Sequence, residues 1–174
     1  MKELIRYGLI LALICSVAAG LLAGMNSLTK SRIIAQAQAE EEASLREVIP
    51  EGVYFEAVKS GSDIIYYKAY AQERKLIGFA FKASGKGYSS TIETMVGMKN
   101  DGTITTIKIL SQNETPGLGA QVTKPSFSKQ FNHKNLQGLS EVQAITGATI
   151  SSKAVIDSVK KKAEEVKALI KNEK

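Results

Sequence analysis

From Tyr7 to Thr29 the sequence carries no charged side chain, and "YGLILALICSVAAGLLAGM" (7–25) is almost wholly apolar. About 20 residues of α-helix, rising ~1.5 Å each, cross the hydrocarbon layer of a bilayer, so this run is long enough to span one. The competing reading is a cleavable secretory signal, with Lys2 and Arg6 as its basic start and "AQA" at 35–37 as the cut site. The apolar run exceeds a usual signal core, and Lys30 and Arg32 intervene before the supposed cut. A retained single-span anchor is therefore expected. Its short N-terminus would lie inside and the C-terminal domain on the exoplasmic side, although basic residues on both flanks give little orientation by charge alone. Ser16, Gly20 and Gly24 recur every four residues, the spacing of a small-residue face that lets another membrane helix approach closely.

The remainder of the 174 residues suffices for one domain with its own core. A net charge of +6 comes mainly from dispersed lysines, and the cluster Lys160, Lys161, Lys162 is followed by Glu164 and Glu165. With no Trp to stack on bases, that pattern reads as a solvated helix face, and no nucleic-acid partner is expected. Cys15 is the single cysteine and sits inside the apolar run, which excludes an intrachain disulfide and a cysteine-ligated cluster. His133 stands alone without a clustered carboxylate set, so it reads as a surface or capping residue rather than a metal ligand. The hydrolase pattern G-x-S-x-G is absent.

Residues 30–49 are good helix formers and predict a helical connector that ends at Pro50. Strand signals follow in "DIIYYKAYA", "KLIGFAFKA", "TIETMVGMK" and "TITTIKIL", the last two joined by the hairpin signal "NDG". "PSFSKQF" predicts a short helix with Phe127 and Phe131 on one face. From Ser152 onward Val155, Val159, Ala163, Val166 and Ile170 form a helical apolar stripe that should pack across the sheet. The expected class is α+β, with a cytoplasmic tip and transmembrane helix over 1–29, the connector over 30–49, and an antiparallel-sheet domain ending in a helix over 50–174.

Of three glycine-bearing loops, two could meet a ligand. "SGKGYSS" resembles a phosphate loop only superficially, because it lacks the earlier glycine and has Gly where Ser or Thr must follow the lysine. "ETPGLGAQV" (114–122) combines Pro116 with two glycines, a restricted backbone path able to approach a ligand. "TGATISS" (146–152) places several hydroxyls directly before a helix, where backbone amides attract phosphate. A bare helix cap remains the alternative for that turn.

An N-terminal membrane helix followed by "ETPGLG" and "ITGATISS" resembles the G subunit of the Rnf (Rsx) electron-transport complex, and more distantly the C subunit of the sodium-pumping quinone reductase. The resemblance runs the length of the chain. It implies an FMN-binding domain with covalent FMN, joined through its phosphate to a threonine by a dedicated flavin transferase. The family's S/T-G-A-T pattern falls on Thr146, Gly147, Ala148 and Thr149, which makes Thr149 the implied attachment point. Ser151 and Ser152 are then left to bond phosphate oxygens or cap the helix. "ETPGLG" is implied to lie along the flavin through Glu114, Thr115, Gly117, Leu118 and Gly119, with Tyr88 near the ring.

One position departs from the pattern: Gln143 stands where family members often carry Asp, three residues before the first hydroxyl. The activity implied is that of an electron carrier without independent catalysis, within a complex that couples electron transfer between ferredoxin and NAD to Na+ or H+ translocation. Its expected partners are the other membrane and redox subunits and the transferase. The alternative from the residues alone is a membrane-anchored structural or assembly module without flavin.

Overall fold

The computed structural model describes residues 2–61 and 63–172, which fall into two compact units, one ending at Glu42 and the other beginning at Ala43. Helix α1 (Lys2–Val48) makes up the first unit and runs unbroken into the first residues of the second. Leu9, Ile10, Leu11, Leu13, Ile14 and Val17, which surround the helix axis, are all exposed. An apolar surface of that length on every side of a helix fits lipid as its solvent. Among the described residues α1 is the one helix long and apolar enough to cross a membrane.

The second unit is a five-stranded antiparallel meander: β1 (Tyr54–Ser60), β2 (Asp63–Tyr70), β3 (Leu76–Lys86), β4 (Thr91–Lys99) and β5 (Ile104–Ser111), neighbours in sequence being neighbours in the sheet. Side chains alternate across such a sheet, and here both faces are covered. Phe79, Phe81, Ile92, Val96 and Met98 point to one face, where they join Val155, Val159, Ala163 and Val166 of the C-terminal helix. Tyr67, Ala69, Ala80 and Met95 point to the other, against Leu45, Val48 and Ile49 at the end of α1. Gly97 permits that second contact, since a Cβ there would collide with the Val48 carbonyl. The same carbonyl accepts a hydrogen bond from the Thr105 hydroxyl.

The "NDG" hairpin forms with Gly102 at φ +89°; the Lys99 amide donates to Thr103 at 2.8 Å and the Gly102 amide to Lys99 at 2.9 Å. That is the pattern of a turn closed by a left-handed glycine. Beyond β5 the chain makes a 3-10 turn (Gly119–Thr123), the one-turn helix α2 (Pro125–Ser128) and another 3-10 turn (Lys129–Phe131). Phe127 and Phe131 share one face as expected, both buried, with rings edge to face at 5.4 Å. His133 is exposed; its amide and the Lys134 carbonyl bond to Ile104, extending the sheet edge by one residue pair.

Two elements differ from the sequence expectation. Strand β1 was not anticipated: "YFEAVKS" is an edge strand with little burial on either face, so it lacks apolar alternation. The last helix, α3 (Thr149–Asn172), begins three residues before Ser152, because the Ser152 amide donates to the Ala148 carbonyl and closes the first turn there.

Candidate functional site: a cleft at the start of α3

A tight turn leads into α3. The Ala148 amide donates to the Ile145 carbonyl at 2.9 Å, and Gly147 between them has φ +80°, a conformation that favours glycine. Gly147 lies beside the Leu118 side chain, which a Cβ would meet at 3.5 Å. The residue before the helix is Ala148, which has no oxygen to cap the first amides. No hydroxyl of this stretch therefore sits at the capping position.

The structure separates them. Ser152 is fully buried and its Oγ accepts from the Ile145 amide at 3.0 Å, tying the turn to the helix. Ser151 is buried and donates to the Glu114 carboxylate at 2.5 Å. Thr146 and Thr149 are exposed. Of these four hydroxyl residues, Ser151 and Thr149 border an open cleft of about 400 Å³, together with Tyr88, Glu114, Thr115, Leu118, Gly119, Gly147, Ala148 and Ile150. Thr146 lies outside that lining, as does Gly117, which has φ +77° and turns the loop. A volume of that order is ordinary for a small-molecule or cofactor site.

Glu114 is the buried anion beneath the cleft. Its Oε1 accepts from the backbone amides of Ser89 at 3.0 Å and Ser90 at 2.9 Å, and its Oε2 from the amide of Tyr88 at 3.1 Å and from Ser151. The Ser90 hydroxyl reaches Oε1 at 3.3 Å. The amides of Tyr88, Ser89 and Ser90 thus form an anion cradle, and an internal carboxylate fills it. Burial on its own would push the Glu114 carboxyl up; the Ser151 hydroxyl and the Ser90, Ser89 and Tyr88 amides outweigh it and hold the group below the usual glutamate range.

The cleft rim is apolar. Tyr88, Leu118 and Ile150 expose 72%, 49% and 56% of their surface, a high degree for large side chains grouped around one opening. Ile150 did not emerge from the sequence; the available signal was an apolar residue in the first turn of α3 that falls off the buried Val155–Val159–Val166 stripe. Gln143 lies outside the cleft lining. Its amide donates to the Gln130 side chain at 2.9 Å, while its own side chain makes no recorded hydrogen bond among the described residues.

Fold and site together define a membrane-anchored flavin-binding module: the FMN-binding domain model matches residues 87–164, which take in the β3–β4 turn, the cleft and most of α3. A model of the RnfG N-terminal region matches residues 1–48. The G subunit of the ion-translocating oxidoreductase complex of Methanosarcina acetivorans is 32% identical over 183 residues, covering 96% of each chain. The G subunit of the proton-translocating ferredoxin:NAD(+) oxidoreductase complex of Clostridium ljungdahlii is 34% identical, covering 90% of this chain and 88% of that one. The Na(+)-translocating counterpart of Acetobacterium woodii is 33% identical, covering 91% and 89%. The chain belongs to the G-subunit family of ion-translocating oxidoreductase complexes.

Proposed function

We propose that this chain is an electron-carrier subunit whose FMN is esterified through its phosphate to Thr149, in a membrane complex that moves electrons between ferredoxin and NAD while Na+ or H+ crosses the membrane. The reaction is the one named for the Clostridium and Acetobacterium relatives. The observation that carries the attachment is the sorting of hydroxyls: Ser151 and Ser152 are buried and engaged, while Thr149 is exposed on the cleft at the first residue of α3. The 24-residue helix starts there without a side-chain cap, and its leading amides and dipole favour a phosphate group.

Bound flavin supplies the redox chemistry, accepting and releasing electrons. The chain's residues hold and screen it. Leu118, Ile150 and Tyr88 offer apolar surface to a planar ring, and Gly147 and Ala148 leave space beside the threonine. In attachment, the Thr149 Oγ1 would accept the flavin phosphoryl group from an activated phosphoanhydride donor, giving up its proton as the donor's other phosphate leaves, with no change of oxidation state. A tether is useful on the exoplasmic side, where we place the domain, because lost flavin is not readily replaced there.

The test is coexpression of the full chain with a flavin transferase. The protein should be yellow, keep its fluorescence through denaturing electrophoresis, and carry the flavin mass on the peptide containing 144–153. Thr149→Ala should abolish the in-gel fluorescence and remove the flavin mass from that peptide. A colourless wild-type chain, with the transferase active on a control substrate, would overturn the flavin reading. Flavin mass retained on that peptide in Thr149→Ala would move the attachment to a neighbouring hydroxyl.

A further inference from the structure

We propose that Glu114 is a positioning residue: its carboxylate clamps the β3–β4 turn that carries Tyr88 to the first turn of α3 that carries Thr149, and so sets the spacing of the cleft's two walls. This rests on the flavin reading for its functional meaning, though the clamp is a property of the chain itself. Glu114 belongs to a third segment, the loop after β5, and is 26 residues from Tyr88 and 37 from Ser151 in sequence. No hydrogen bond recorded among the described residues joins the 87–90 turn directly to 149–152. Their polar connection runs through this one carboxylate.

Two glycines make room for it. A Cβ on Gly87 would stand 2.6 Å from Glu114 Oε1, and one on Gly119 would stand 2.7 Å from Oε2 and 2.6 Å from the Ser151 Oγ. Both positions are tighter than a side chain tolerates, so carboxylate and glycines form a fitted set. Charge matters as well as shape. An ionised carboxylate accepts at both oxygens, whereas a glutamine accepts at one and presents hydrogens at the other. Glu114→Gln therefore preserves volume yet turns an N–H2 toward the donors on one side.

The experiment uses the full chain in detergent micelles, first without flavin. Hydrogen–deuterium exchange read by mass spectrometry follows peptides covering 87–92 and 144–153. In Glu114→Gln both should exchange roughly ten- to hundredfold faster, the scale set by losing hydrogen bonds to a charged group, while β4 and the rest of α3 keep wild-type protection. Ser151→Ala removes one link only, so 144–153 should loosen while 87–92 stays protected. That variant also keeps the proposal testable if Glu114→Gln fails to fold.

After flavin loading, the visible circular dichroism of the FMN, which reads the asymmetry of its walls, should change in both variants, and the rate of attachment should fall several-fold. Loosening of one peptide alone in Glu114→Gln, or unchanged dichroism and loading in both variants, would overturn the clamp. A wild-type chain that takes no flavin while the two peptides still loosen together in Glu114→Gln would overturn the flavin reading and leave the clamp standing.

Discussion

Gly85 in β3 faces the carbonyl of Ala154 in α3 so closely that a Cβ on the glycine would overlap the Ala154 oxygen. The helix carrying Thr149 thus lies directly on the sheet, backbone against backbone, and its height is set by a missing methyl group. Gly85→Ala should lift this end of α3 and destabilise the domain by about 1–3 kcal/mol, the usual cost of overpacking a well-filled contact. A urea titration followed by circular dichroism measures it. An unchanged midpoint would mean that the helix floats rather than rests on β3.

Acid should weaken the domain with a defined sign. Folding depresses the Glu114 carboxyl below its ordinary value of 4.5, so the folded state binds fewer protons than the unfolded chain near that pH. The stability it contributes is full above about 4.5 and drains as pH falls through the lower folded value. Asp101, held down by the Thr103 amide, and Glu141, held down by Lys134, push in the same direction. Stability measured against pH in wild type and Glu114→Gln separates the contributions, and the variant should lose less between pH 4.5 and the acid limit. Parallel curves would show that Glu114 gains nothing from its cradle.

Gln143→Asp should cost almost nothing in stability. The contacts of residue 143 run through its backbone, which pairs with the Gln130 side chain at both amide and carbonyl. The expected change is within ~0.5 kcal/mol, as for an exposed substitution away from special features. Gln130→Ala, which removes both bonds, should destabilise by about 1 kcal/mol. Thermal melts of the two variants check the contrast, and the reverse ranking would mean that the side chain of Gln143, not its backbone, matters here.

Much of the fold was legible because its signals are local. The uncharged run of α1, the "NDG" turn, strands β2 to β5 and the Val155–Val166 stripe each state their structure within a few residues. Edge strand β1 did not, since a strand half-exposed on both faces has no alternation to read. At the site, the sequence marked loops whose residues the fold brings to one cleft, but not the bonds between them. Glu114, read as a flavin contact, has both carboxylate oxygens engaged by the chain's own donors. Ser151 and Ser152, expected to bond phosphate oxygens or cap the helix, bond within the chain to Glu114 and Ile145. The Glu114 contacts join segments 24 to 37 residues apart, which no window of local sequence contains.

The amides of Tyr88, Ser89 and Ser90 have a resident counter-ion from their own chain. A free phosphate or nucleotide arriving from solution finds that cradle already taken, at an effective concentration no solute can match. Competition between two anion traps a short distance apart is thereby removed before any ligand binds. On the proposed reading, the flavin phosphate then meets the start of α3, where Ala148 brings no capping side chain.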